Sequence, residues 1–229
     1  MAARLIFKPN SSANGLFYEE LLVEFDWVPG MAISQGRKSV ENLHKSVIAR
    51  YGVKSILEIS TRSQTKLGVD LSAFNLKIEL GGRSYPVESA YQSSKYFLNG
   101  GPFLDLLSAS SLESKKDTRL KNSGQIKGFR FEGVDWPLTA SPNFYDYIYI
   151  RALLANPNRT RLMDFEAFSD IAYSQNSLVS KPGKSFNCQA RSAAIYVAMK
   201  NIMREDKILP ALFEFAKLAR DVEGQLELF

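Results

Sequence analysis

The residues best equipped for chemistry in this chain lie in the segment PVESAYQSSKYFL at positions 86–98. Pro86 at a first helical position and the stop signal Gly100-Gly101-Pro102 predict a helix over 86–98. On that helix Glu88, Gln92 and Lys95 stand at i, i+4 and i+7, so a carboxylate, an amide and an ammonium project from one face. Glu88 also falls in the first turn, where the helix dipole favours a negative charge. A solvated helix face has the same spacing, and the stripe alone leaves both readings open.

Further positions carry chemistry of their own. Asn75, in the apolar run Leu71-Ser72-Ala73-Phe74-Asn75-Leu76, needs partners for its amide if buried, or else ends a strand in a turn. Trp136, in Asp135-Trp136-Pro137, is either a stacking wall for a base or ribose, or a core residue. Asp170, in AFSDIAY, follows a helix end and reads equally as a capping acid. Asn187-Cys188-Gln189-Ala190-Arg191 opens a helix whose N–H groups, with Arg191, suit phosphate oxygens, though Arg191 also reads as a surface residue. His44, beside Leu43 and Val47, reads as a partly buried structural imidazole.

The elements that position these groups follow from periodicity and punctuation. Residues 16–27 read as a strand stopped by Val28-Pro29-Gly30, and Ser39 as the N-cap of a helix closed by Gly52. SILEIS at 55–60 is a short strand, and 71–80 is extended up to a Gly81-Gly82 turn. Residues 108–128 suggest an exposed helix plus loop, 128–136 a strand, and Asn143 caps an apolar helix that Asn156-Pro157 ends. Helices over 160–168, 187–204 and 207–220, with a loop at 173–186, complete an α-rich α+β domain with a small sheet.

Composition narrows the chemistry. The 229 residues include one His and one Cys, so Cys188 has no internal disulfide partner, and no zinc site of Cys and His ligands can be assembled. Triads that need an imidazole have only His44 to draw on. No cofactor or metal is expected. The first residues lack the apolar core of a signal peptide, and no stretch approaches the roughly 20 apolar residues of a membrane span, so a cytoplasmic location is expected. The net charge of +5 is concentrated. Arg37, Lys38, Lys45, Arg50, Lys54, Arg62 and Lys66 face only Glu41 and Glu58, and Lys115, Lys116, Arg119, Lys121, Lys127 and Arg130 face only Glu113 and Asp117. Each stretch is either a solvated face or the footprint of a polyanion.

The segments LSAFNLKIELGGRSYPVESAYQSSKYF, GVDWPL, AFSDIAY and SFNCQARSAAIYV, in that order, resemble the NADAR family. ISQGRKSVENLH, ILEIST and LSAFNL are similar to the NADAR antitoxins associated with DarT-type DNA ADP-ribosyltransferase toxins. The resemblance covers nearly the whole chain. It implies a single NADAR-like domain over 1–229, with residues 1–55 as a family-specific N-terminal extension packed on it. It also implies hydrolysis of the bond joining ADP-ribose to guanine in DNA, with ADP-ribose as product and a cognate DarT-type toxin as partner. Pro86 replaces the family's usual Ser, and Ile171-Ala172 its frequent Trp-Gly.

The resemblance maps catalytic positions onto Glu88, Trp136 and Asp170. Hydrolysis through an oxocarbenium-like state would divide acid and base work between Glu88 and Asp170. A ring-opened imine route would use a neutral lysine, Lys38 or Lys95. Arg62, Lys95 and Arg191 are candidates for the pyrophosphate, and Ser72, Phe74, Asn75, Gln92 and Asn187 for binding and positioning the substrate. A base inside a duplex is out of reach, so the expected substrate is single-stranded or flipped out. Two other readings fit the same family: an N-glycosidase acting on small metabolites such as riboflavin-pathway intermediates, and a non-catalytic antitoxin that binds ADP-ribose or DNA.

Overall fold

The computed structural model describes residues 1–12, 16–138, 144–173 and 187–226, with side chains as far as 215. The fold is α+β, and the chain divides into two compact units, each built from two separate stretches of sequence. The first comprises Met1–Ser72 and Pro157–Met203, the second Ala73–Asn156 and Arg204–Phe229.

The first unit is organised on a four-stranded sheet, ordered β2-β1-β9-β3. Strand β1 (Ala2–Pro9) pairs antiparallel with β2 (Tyr18–Phe25) on one side and with β9 (Ala167–Ser169) on the other. Strand β3 (Ile56–Glu58) lies parallel to β9, with Glu58 opposite Ser169. Leu21, Val23 and Phe25 alternate inward along β2 and meet Val40, Leu43 and Val47 of helix α1 (Ile33–Tyr51). The short helix α2 (Lys66–Asp70) is capped by Thr65, whose Oγ1 accepts from the Gly68 N–H at 3.1 Å. Helix α7 (Gln189–Ile202) packs on β1 and β9.

In the second unit β4 (Lys77–Leu80) and β5 (Arg83–Pro86) form a hairpin around Gly81-Gly82, both at positive φ. Helix α3 (Val87–Ser93) follows directly, then β6 (Lys95–Phe97), β7 (Ile126–Phe131) and β8 (Val134–Trp136) in one antiparallel sheet. Tyr91 of α3 packs on Phe129 and on Phe144 and Tyr145 of helix α6 (Phe144–Ala155). Two short helices, α4 (Ser111–Lys116) and α5 (Arg119–Asn122), match the exposed segment expected after 108, and helix α8 spans Glu205–Leu226.

Five expectations need correction. Helix α1 begins at Ile33 rather than after Ser39: Gln35 reaches back to accept from the Ala32 N–H, while the buried Ser39 hydroxyl is bonded to Val28 instead. Residues 71–76 are turns, not a strand, because Leu71 still closes α2 through Leu67. The helix after Pro86 stops at Ser93, where the Ser93 and Ser94 hydroxyls donate to the Ala90 carbonyl and Arg130 N–H takes the Ser94 carbonyl into the sheet. The strand expected over 128–136 is a hairpin turning at Glu132-Gly133, both left-handed. The helix expected over 160–168 is a 3-10 helix (Pro157–Asp164) followed by β9, whose pairing with β1 and β3 overrides local preference. The N-terminal strand β1, only a short apolar stretch in the sequence, is an inner strand of the first sheet. The expected cap Asn143 and positions 174–186 of the expected loop lie outside the described residues.

Gly68 of α2 lies against the Glu58 carbonyl of β3 and the Ser63 side chain. A Cβ there would sit 2.0 Å from the Glu58 carbonyl oxygen and 2.3 Å from Ser63 Oγ. Gly68→Ala is therefore expected to destabilise the fold by about 1–3 kcal/mol. The urea midpoint measures this, and an unchanged midpoint would refute the close approach.

Candidate functional site

In the second unit the site grows from the first turn of α3. Pro86, extended at the N-cap, leads in from β5, and the first two helical amides are taken up by the preceding loop: Val87 N–H donates to Leu76 O and Glu88 N–H to Ala73 O, both at 2.9 Å. These two bonds press α3 against the 73–76 turn, and Glu88 is buried in the process. Its Oε1 accepts from Gln92 Nε2 at 2.9 Å, one helical turn on, and lies 3.8 Å from Lys115 Nζ of α4. The Lys115 ammonium also sits over the Phe74 ring at 5.2 Å.

Lys95 joins this group by a route the helical spacing does not give. It is the first residue of β6, half-buried, with its ammonium 4.6 Å from the centre of the Tyr91 ring. Burial pushes its pKa down to about 8; the Glu88 carboxylate opposes that fall and the Lys115 charge adds to it. The buried Gln92 side chain spends its N–H on Glu88, and among the described residues its Oε1 has no hydrogen-bond partner. The cluster thus combines a carboxylate, an amine near its titration point and an unfilled acceptor for a ligand N–H or O–H. Trp136 is buried in the same unit among Phe144, Tyr147 and Phe213, with its Nε1 unpartnered among the described residues. Asn75 is exposed in the turn before β4.

In the first unit Asp170 is buried just after β9, in a turn where its Oδ1 accepts from Ala172 N–H at 3.1 Å. Beside it lies Glu58 of β3, which the sequence alone does not single out. Glu58 Oε1 accepts from Ile171 N–H at 2.9 Å and from Ser60 Oγ at 2.6 Å, and Oε2 accepts from Ser169 Oγ at 2.5 Å. Burial and the Asp170 carboxylate push the Glu58 pKa up to about 7. His44 Nε2 is 2.8 Å from the same Ser169 hydroxyl, and burial holds the imidazole neutral down to about pH 4. Arg4, another residue not foreseen, donates from Nε to Ile171 O at 2.8 Å. The available sequence signal was a lone carboxylate between Leu57 and Ile59 in an otherwise apolar strand.

The remaining expected positions are spread over the first unit. Lys38 is exposed on α1, as is Arg37, and among the described residues neither has an ion-pair partner. Arg62 is half-buried and lies across Gly36 of α1, where a Cβ would come within 2.6 Å of its Cδ. Ser72 is buried and bonded to Val69 O, and Asn187 is half-buried ahead of the Cys188 cap of α7. Arg191, three residues after that cap, is buried and lies close enough to Tyr173 to bear on its phenol. Among the described residues no three His, Cys, Asp or Glu side chains gather as a metal site.

The charges around Lys95 set the sign of two substitutions. Glu88→Gln is expected to lower the Lys95 pKa below about 8, and Lys115→Met to raise it. Reductive 13C-methylation followed by NMR titration measures both, and shifts in the opposite sense would refute this geometry.

A search of curated proteins finds no match to this chain. A family model described as the DarT1-associated NADAR antitoxin matches residues 2–226. With the motifs at Glu88, Trp136 and Asp170 inside a match of that extent, the chain belongs to the DarT1-associated NADAR antitoxin family.

Proposed function

We propose that this antitoxin is a hydrolase that removes ADP-ribose from guanine in DNA, countering a DarT-type toxin in the cytoplasm. The observation that carries the reading is the buried Glu88–Gln92 pair beside an amine held near neutrality. The family match over 2–226 supports treating both units as one domain, its first 55 residues included. Among the described residues no helix is long and apolar enough to cross a membrane.

The substrate joins ribose C1 to the exocyclic nitrogen of guanine, and hydrolysis consumes one water. Opening of the ribose ring gives an imine at C1. The neutral Lys95 amine adds to that carbon, Glu88 moves the proton to the departing nitrogen, and guanine leaves with its amino group restored. Water then cleaves the lysine imine, and ADP-ribose departs as the aldehyde, which recloses. Gln92 Oε1 accepts from a substrate N–H or O–H. In the first unit the residues proposed are Asp170 for proton transfer, Arg62 and Arg191 for the pyrophosphate, and Ser72 and Asn187 for binding; in the second they are Phe74, Asn75 and Trp136 for binding. Lys38, exposed with Arg37, suits the DNA backbone better than the covalent step. Lys116, Lys121 and Lys127, exposed and without ion pairs among the described residues, serve the same purpose.

Incubation with an oligonucleotide carrying ADP-ribosylated guanine is expected to release free ADP-ribose. Glu88→Gln should slow release about 10²–10⁴-fold. Borohydride added during turnover should trap an adduct that Lys95→Ala does not form, while Lys38→Ala still does. No release by the wild type would overturn the reading, and full activity of Glu88→Gln would overturn the assignment. Binding of unmodified single-stranded DNA is expected to weaken with salt. Lys116, Lys121 and Lys127 changed together to Gln should flatten that dependence by a slope of roughly 0.7 for each phosphate no longer neutralised. A slope untouched by the triple substitution would exclude this surface.

A further inference from the structure

The first unit contains a connected set of hydrogen bonds whose central group the reaction above does not use. Its centre is Glu58. The parallel register of β3 and β9 sets Glu58 opposite Ser169, and Ile59 N–H donates to Ser169 O at 2.8 Å. The next residue is Asp170, and the turn carrying it is gripped on both sides of Ile171. Glu58 Oε1 holds the Ile171 N–H, and Arg4 Nε holds the Ile171 carbonyl. Ser60, which supports Glu58 Oε1, also accepts from Arg62 N–H at 3.0 Å, so the loop after β3 is tied to the same carboxyl group.

We propose that Glu58 is a positioning residue for Asp170, clamping its turn through the Ile171 N–H and the Ser169 hydroxyl. The inference rests on the reading that Asp170 takes part in the reaction. Two adjacent buried carboxyls resist ionising together, so one proton is retained between them. The charged and titratable groups around Glu58 are Asp170 after β9, His44 on α1, Arg4 on β1 and Arg62 after β3. Burial and the neighbouring Asp170 carboxylate raise the Glu58 pKa, which favours the protonated form of Glu58.

The proton has a structural signature at His44. When Glu58 is protonated, its Oε2–H donates to Ser169 Oγ, and the Ser169 proton turns to His44 Nε2, which accepts. When Glu58 ionises, Ser169 donates to Oε2 at 2.5 Å, and His44 Nε2 must carry the hydrogen and donate to Ser169. Ionisation of Glu58 therefore swaps the tautomer of the one histidine in the chain.

Untagged full-length protein labelled with 15N-histidine gives a single imidazole spectrum. The two ring nitrogens are expected to exchange their protonated and unprotonated signals across a midpoint near pH 7 in the wild type, and not to do so in Glu58→Gln. ADP-ribose release by Glu58→Ala should show kcat reduced by roughly up to 100-fold with KM unchanged. Glu58→Gln, which keeps the acceptor for Ile171, should recover most of that loss and also guards against misfolding of the alanine variant. Asp170→Asn should be inactive. A fully active Asp170→Asn would overturn the reading of Asp170, and the positioning role with it. An inactive Asp170→Asn beside wild-type turnover in Glu58→Ala, or a tautomer swap persisting in Glu58→Gln, would overturn the proposal alone.

Discussion

Withdrawing a charged group from water costs several kcal/mol unless donors and countercharges replace the lost hydration, and each unit holds a buried glutamate whose surroundings meet this demand. Glu88 is supplied by Gln92 at 2.9 Å and faced by Lys115. Glu58 is supplied by one backbone N–H and two hydroxyls. The surrounding elements follow from these needs. The 73–76 turn must present the two carbonyls that seat the first turn of α3, and β3 must lie in register with β9 so that Ser169 reaches Glu58.

The scarcity of histidine bears directly on the chemistry. His44 is half-buried, neutral down to about pH 4 and committed to Ser169. In the proposed reaction proton transfer is left to carboxyl groups and to Lys95, whose pKa burial lowers to about 8. Lysine suits this role because desolvation disfavours its charged form, whereas an arginine at the same place would stay protonated.

Much of this arrangement is legible in the sequence, and the exceptions have physical causes. Gly52 closes α1 at φ 67, and Gly81-Gly82 turns a hairpin, because left-handed backbone leaves few residue choices. The i, i+4 spacing of Glu88 and Gln92 puts them in contact within one helix. Lys95 is different: the helix ends before it, and Lys95 reaches the Glu88 field from β6, where it pairs with Phe129 of β7. Ser39 looks like a cap by type, yet it serves Val28, a tertiary bond that local preference does not encode. Glu58 is hidden because two of its three partners, Ser169 and Ile171, come from more than a hundred residues away, and a short apolar strand gives little reason to single it out.

The proposed turnover depends on a neutral Lys95 amine acting beside Glu88, and the pH dependence of ADP-ribose release under saturating modified oligonucleotide tests that most directly. The rate of the wild type is expected to rise as pH increases through about 8 and then to level off, since deprotonation creates the reactive amine. A rate that is flat, or that falls, across that midpoint would contradict it.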